Sequence, residues 1–363
     1  MTIQQLPLTF QEQVLFSLDA LYYRRGYSRY KMSKFEEYDL YARNKDFLVD
    51  RSIITFMDTN GQLLALKPDV TLSIVKNSRD DETLLQKLYY NETVYRVSKS
   101  NCRFRELMQV GLECLGAIDD YCVCEVLTLA AQSLQAISPD SILDISHLGL
   151  LEELLDGIGI PAAQKAAALQ CIGQKNIHEL AALCKNWGIS QENIQILKES
   201  ISLSGSPESV LPKLASLLSG IVSSDALAQL LRITSALKET DIAQMLRFDF
   251  SATDDIHYYN GIVFKGFIRG LPGSVLSGGQ YDNLMRKMGR RSGAIGFAVY
   301  LDALERLEPR RKDYDVDTVL LYGADTPLDV IQARFRALSA EGQRVLVQRH
   351  LPENLRCRQV IEL

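Results

Sequence analysis

Strand-forming sequence falls in two blocks that a long helical stretch keeps apart, and this interruption constrains the fold more than any other feature. The first block holds KLYYNETVYRV at 87–97 and RELMQVGLECLG at 105–116, joined by a short polar and basic connection from Ser98 to Arg103. That pair reads as an antiparallel hairpin with a long polar tip. SILDISH at 141–147 reads as a further strand. The second block runs through LRFDFS at 246–251, YYNGIVFKGFI at 258–268, a short run at 274–277 and GAIGFAVY at 293–300. From Gly149 to about Gln244, Ala, Leu, Gln and Lys dominate with helical periodicity, broken at Gly157-Ile158-Gly159, at Gly188 and from Ser204 to Pro207. One sheet split in sequence by an all-helical insertion accounts for the order and makes the fold α+β. No fixed period runs through the insertion, so a solenoid array is not expected. The boundaries that follow are a sheet-bearing domain at 1–148 and 240–307, a helical insertion at 149–239, and a linker with a short α/β tail at 308–363. The tail reads strand–helix–strand, at 316–322, 327–341 and 343–348.

Local signals place further elements. Thr9 and Glu12 make a capping-box pattern, Val14, Leu15, Leu18, Leu21 and Tyr22 share one face, and Gly26 ends the helix. Residues 121–136 read as a second helix, and Leu301 to Leu307 starts a closing one. Asp58-Thr59-Asn60-Gly61 carries the Asn-Gly pair of a tight turn, in which both residues tolerate positive φ. Leu63 to Leu66 is the returning strand, and Asp69-Val70-Thr71 caps a following helix, in a position that also suits facing a ligand. Gly278-Gly279 marks a turn, a bulge or a close approach by a ligand.

Charge and cysteine usage exclude several function classes. Lys plus Arg number 40 and Asp plus Glu 45, a net charge of −5 that disfavours general nucleic-acid binding. Two basic groups, Arg24, Arg25, Arg29, Lys31 and Arg286, Lys287, Arg290, Arg291, are the best support for an RNA-binding reading, and a solvated surface explains them as well. No apolar run approaches the roughly 18 residues needed to span a membrane, and no secretory signal is visible, so a cytoplasmic location is expected. The seven cysteines, Cys102, Cys114, Cys122, Cys124, Cys171, Cys184 and Cys357, show no CxxC spacing and read as free thiols, with no metal site expected. His147, His178 and His350 read as ordinary surface or core histidines, and no role is assigned to His257. No GxGxxG fingerprint and no GxxxxGK[ST] phosphate loop is present, and no cofactor is expected.

One polar stripe stands out. Side chains alternate along a strand, so Gln109, Gly111 and Glu113 share one face while Met108, Val110 and Leu112 share the other. An amide, a gap and a carboxylate on a central strand are costly unless solvated or liganded. A solvent-facing sheet surface explains the stripe equally well on this pattern alone.

Four stretches, in order, resemble the class II aminoacyl-tRNA synthetase catalytic domain and within it the histidyl-tRNA synthetase family. LLALKPDVT at 63–71 is similar to the family's LRPE/D-x-T segment, and VYRVSKSNCRFRELMQVGLECLG at 94–116 to its motif 2 hairpin. YYNGIVF at 258–264 is similar to the histidine-specific DYYTGxVF segment. SGGQYDNL with GAIGFAVYLDAL, at 277–284 and 293–304, is similar to the GGRYDxL…GFAxGLER ending. The resemblance spans about residues 9 to 307 and implies an antiparallel sheet flanked by helices. It also implies histidine contacts at Asp69, Thr71, Gln109, Glu113, Tyr258 and Tyr259, and remnant nucleotide-side positions at Arg96 and Arg103. With it, the polar stripe reads as a ligand-facing surface.

The departures bear on function. The family's motif 3 arginine falls on Ala303 and the arginine of RGLDYY on Asp254. The acidic residue two positions after Arg96 is Ser98, and the motif 1 proline falls on Ser33. Adenylate formation needs cations against the phosphates, and losing one stabilising donor costs roughly 10²–10³ in rate. A synthetase-like body with a kept amino-acid pocket and lost arginines resembles the family's regulatory paralogues that serve ATP phosphoribosyltransferase in histidine biosynthesis. That resemblance implies a non-catalytic subunit. It would self-dimerise within a hetero-oligomer, partner a short-form catalytic subunit and take histidine as effector, with neither membrane nor tRNA as partner. The tail after the linker is short for a tRNA-reading domain. A divergent synthetase or an RNA-binding paralogue remains the alternative.

Overall fold

The capping pattern at Thr9 opens the first helix, α1 (Phe10–Arg24): Thr9 accepts from Glu12 N, and the Glu12 carboxylate accepts from Thr9 N. Val14, Leu18 and Tyr22 are its buried face. The structure is a computed structural model that describes residues 8–48, 52–98, 103–222, 225–251, 258–307 and 314–363. Cys102, the Asp254-to-His257 stretch and residues 308–313 of the linker lie outside them. The chain divides into two units, Met1–Arg306 and Leu307–Leu363.

In the first unit β1 (Ser28–Arg29), β2 (Phe35–Glu37), α2 (Tyr38–Arg43), β3 (Thr55–Met57), β4 (Leu63–Leu66) and α3 (Thr71–Asn77) lead into the hairpin of β5 (Gln86–Val97) and β6 (Phe104–Gly116). Next come α4 (Asp120–Ile137), β7 (Ser141–His147) and the helices α5 (Leu148–Gly157), α6 (Lys165–Gly173), α7 (Ile177–Asn186) and α8 (Gln191–Ser202). A two-residue strand, β8 (Ser204–Gly205), precedes α9 (Pro207–Leu217) and α10 (Asp225–Leu237). The chain returns to the sheet with β9 (Leu246–Asp249), β10 (Ile262–Ile268), β11 (Leu276–Gln280), the short helix α11 (Asp282–Lys287) and β12 (Gly293–Tyr300).

Nine strands make one sheet in the order β1-β5-β6-β12-β11-β10-β7-β9-β8. Strands from both sequence blocks interleave, as a split sheet requires. Most neighbours are antiparallel, but β1 with β5 and β7 with β9 run parallel. Helix α4 packs on one face, where Val110, Leu112, Leu143, Ile145 and Phe297 are buried. The opposite face of β6 carries Gln109, Gly111 and Glu113, so the alternation read from the sequence holds.

Some local expectations need correction and others gain detail. The turn at 58–61 is not built by a positive-φ pair: only Gly61 has positive φ, +80°. Asp58 organises the loop instead, its Oδ1 accepting from Asn60 N and Gln62 N, both at 2.8 Å. The strand expected from residue 258 begins at Ile262; ahead of it Asn260 N donates to Gln280 O and Gly261 O accepts from Leu148 N. Gly278 and Gly279 form no turn. They lie inside β11 where Phe297 and Tyr259 pack closely on them. Leu301–Leu307 is a 3-10 helix in which the Asp302 carboxylate accepts from Met108 N at 3.0 Å. His147 is buried and caps α5, its Nδ1 accepting from Leu150 N at 3.2 Å while Nε2 meets Gln229 Oε1 at 3.1 Å.

The second unit holds β13 (Val316–Leu321), α12 (Leu328–Ala340), β14 (Val345–Gln348) and a third strand, β15 (Cys357–Glu362), that strand–helix–strand periodicity did not predict. All pairings are parallel, with β13 in the centre. No described helix is long and apolar enough to cross a membrane. The six described cysteines are unpaired.

Candidate functional site

Alternation along β6 presents Gln109 and Glu113 to a cavity of about 210 Å³. That is smaller than the roughly 300–1,000 Å³ of pockets for drug-sized ligands and suits a small metabolite. All six expected ligand-facing residues, Asp69, Thr71, Gln109, Glu113, Tyr258 and Tyr259, line it, together with Arg96. Arg103 does not; it sits exposed at the hairpin tip, where its carbonyl accepts from Ser98 N at 2.8 Å. Ala303 lies in the 3-10 helix after β12 and is not among the lining residues.

Each strand contributes according to register. Glu113 on β6 stands opposite Gly296 on β12, and Gln109 opposite Tyr300. A Cβ at position 296 would lie 1.7 Å from Glu113 Oε2 and 2.4 Å from Leu112 O, so the carboxylate occupies space that only a glycine leaves open. Tyr90 on β5 faces Gly111, and its ring fills the gap in the polar stripe. Helix α3 is capped from outside by Asp69, whose Oδ1 accepts from Leu72 N at 2.8 Å. This fixes Asp69 and Thr71 at the pocket.

The centre of the site is Glu113. It is 2% exposed and accepts from Thr71 Oγ1 at 2.7 Å and from Tyr281 OH at 2.6 Å. Burial pushes its carboxyl up to about 8; the Tyr281 and Thr71 hydrogen bonds oppose this, and the nearby Asp69 charge adds to it. Burial raises Asp69 as well, against the pull of the Leu72 N–H and the Arg96 guanidinium. Arg96 Nε donates to Pro68 O at 3.2 Å. A carboxyl raised this far favours its protonated form near neutral pH, and a cation placed beside it would favour the ionised form. Tyr258 packs edge-on against Tyr259 and tilted against Tyr281, with centroids 4.8 and 5.6 Å apart. Two carboxyls, an amide, one guanidinium and a cluster of phenol rings suit a small ligand with an ammonium group, a carboxylate and a flat polar ring.

Sequence reasoning missed Tyr90, Tyr281 and Phe47 as pocket residues. Tyr281 stood in plain view beside the Gly pair in GGQYD; Tyr90 needed the β5–β6 register. Among the described residues no cluster of His, Cys, Asp or Glu is arranged to hold a metal ion.

A family profile for histidyl-tRNA synthetase matches residues 8–304. The ATP phosphoribosyltransferase regulatory subunit of Alkaliphilus metalliredigens is 29% identical over 288 residues, covering 78% of this chain and 73% of that protein. The corresponding subunit of Clostridium kluyveri is 28% identical over 309 residues, 82% of this chain and 79% of that one. Among solved structures, an ATP phosphoribosyltransferase regulatory subunit/histidyl-tRNA synthetase from Bacillus halodurans superposes with a TM-score of 0.80 at 21% identity, covering 97% of this chain and 93% of that chain. The ATP phosphoribosyl transferase (HisG:HisZ) complex from Thermotoga maritima contains a chain with a TM-score of 0.62 at 22% identity, covering 79% of this chain and 96% of its own. At these identities the solved structures speak for the fold. The profile match runs from the start of α1 to the helix after β12, the same span that holds the split sheet and the pocket, and the chain belongs to the histidyl-tRNA synthetase family.

Proposed function

We propose that this chain is the regulatory subunit of an ATP phosphoribosyltransferase, that it performs no aminoacylation, and that it holds histidine in the Glu113 pocket. The observation that carries the reading is an asymmetry in the site. The residues suited to an amino acid converge on one cavity, while Ala303 and Asp254 stand where the synthetase pattern keeps arginine. The names of the relatives support the partnership with a catalytic subunit, and the Thermotoga maritima complex is an assembly of that kind.

In the bound state the ligand's ammonium group faces Glu113 and Asp69, its carboxylate faces Arg96, and the imidazole lies among Tyr258, Tyr259 and Tyr281. A cation at Glu113 favours the ionised carboxylate, so binding expels the proton held there. Histidine then changes activity by binding active and inhibited assemblies with different affinity, since equal affinity shifts nothing.

Calorimetry in buffers of different ionisation enthalpy tests the site. Histidine binding by the wild-type chain at pH 7 releases a proton, and Glu113→Gln abolishes that release. Binding with the same proton count in both proteins contradicts the pocket assignment. Histidine-dependent pyrophosphate exchange with ATP tests the chemistry, with none expected; sustained exchange would restore the synthetase reading.

A further inference from the structure

One wall of the pocket is held by side chains from two sides. Asp46, Phe47 and Leu48 line the cavity. The N–H groups of Phe47 and Leu48 bond only as far as Asn44 O, at 3.0 Å, and Lys45 O, at 3.2 Å. These bonds shape the 3-10 turn without fixing it to the rest of the site. Side chains make the attachment. Phe47 is 8% exposed and meets the Tyr258 ring edge-on at 6.2 Å. From the outer side, Lys287 Nζ lies 4.9 Å from the Phe47 ring centroid and 3.1 Å from Asp46 Oδ2. One ammonium thus grips two successive wall residues, by cation–π attraction and by an ion pair.

Lys287 is the last residue of α11, the helix that follows Tyr281, and Tyr281 donates to Glu113. The same short helix therefore touches the deepest group of the pocket at one end and clamps the outer wall at the other. We infer that Lys287 is a positioning residue that holds the Asp46–Leu48 wall closed and so sets how long the pocket retains its ligand. Both contacts are partly exposed, with Lys287 and Asp46 side chains at 38% and 65%. Each is accordingly modest, and together they change wall opening by about five- to tenfold. A clamp of that size leaves the wall able to open for exchange of ligand.

The effect on ligand release rests on the histidine reading above; the clamp itself does not, and two measurements separate them. Hydrogen exchange at the Phe47 and Leu48 amides of the ligand-free full chain reads wall opening. Lys287→Met, which keeps the aliphatic stem, and Lys287→Ala both accelerate that exchange by about five- to tenfold. Lys287→Arg restores wild-type protection, and the Leu112 amide in β6 is unchanged in all three. Unchanged exchange in Lys287→Met, or failure of Arg to restore it, overturns the inference. Stopped-flow binding of L-histidine then reads the consequence: Lys287→Met speeds dissociation by the same factor with the association rate nearly constant. Faster exchange with unaltered histidine dissociation removes the positioning role. Faster exchange in a chain that binds no histidine upholds the clamp and sinks the histidine reading instead.

Discussion

Glu113→Gln weakens histidine binding by roughly 3- to 400-fold while leaving the chain folded. Two free energies oppose each other at this carboxyl. With its carboxyl at about 8, Glu113 is mostly protonated at pH 7, and ionising it there costs about 1.4 kcal/mol. A buried, hydrogen-bonded charge pair is worth about 2–5 kcal/mol when one partner is truncated, so the wild-type site retains a net gain that the amide forfeits. Gln keeps the volume and still accepts one of the hydroxyl hydrogen bonds from Thr71 and Tyr281, so the loss falls on binding. Isothermal titration with L-histidine measures it, and affinity within threefold of wild type contradicts the role given to Glu113.

The same carboxyl carries a stability signature in the opposite sense. Its folded value lies above the unfolded one, so the folded state binds the extra proton. The stability this contributes is fully present below about 4.5 and is lost as pH rises through about 8. The uncharged Gln variant escapes that loss. Its Tm therefore rises relative to wild type by several degrees between those two pH values, readable by thermal unfolding in the absence of ligand.

Gly296→Ala has the largest expected effect on folding. A Cβ there meets Glu113 Oε2 at 1.7 Å and the Leu112 carbonyl at 2.4 Å, and the second obstacle is backbone of the adjacent strand. A flexible side chain can retreat, but the β6–β12 ladder cannot open without breaking its hydrogen bonds. Overpacking costs typically about 1–3 kcal/mol, and the cost here lies at or above the upper end. Adding Glu113→Ala removes the nearer clash but not the carbonyl, so the double variant recovers part of the loss and not all of it. Denaturant unfolding of the two single variants and the double variant gives the coupling. A Gly296→Ala chain of wild-type stability would show that the two strands are farther apart than described.

How much of this was legible beforehand depends on range. The capping box at Thr9, the hairpin of β5 and β6, strand β12 and the alternation that puts Gln109 and Glu113 on one face are set by neighbours in sequence. All of them could be read there. What escaped depends on distant partners. The parallel pairing of β7 with β9 joins strands on either side of the helical stretch, and no local pattern encodes its direction. β15 reads weakly because four of its six residues are exposed and no polar–apolar alternation runs through it. His147 is the ordinary buried histidine expected, and only its use as a cap needed α5 to follow directly. The pocket divides in the same way. Its carboxylates sit in recognisable motifs, whereas Tyr90 belongs to it through register and Phe47 through a wall that only the assembled fold brings across.

The central claim is that this body serves a catalytic partner and does not charge tRNA. The most direct measurement is phosphoribosyl-ATP formation by a short-form ATP phosphoribosyltransferase catalytic subunit, with and without this chain, across a histidine titration. The account predicts that adding the chain raises the rate, that histidine suppresses the raised rate, and that Glu113→Gln keeps the stimulation while shifting the inhibition to much higher histidine. A rate unaffected by the chain, or identical histidine inhibition with the Glu113→Gln chain, would contradict it.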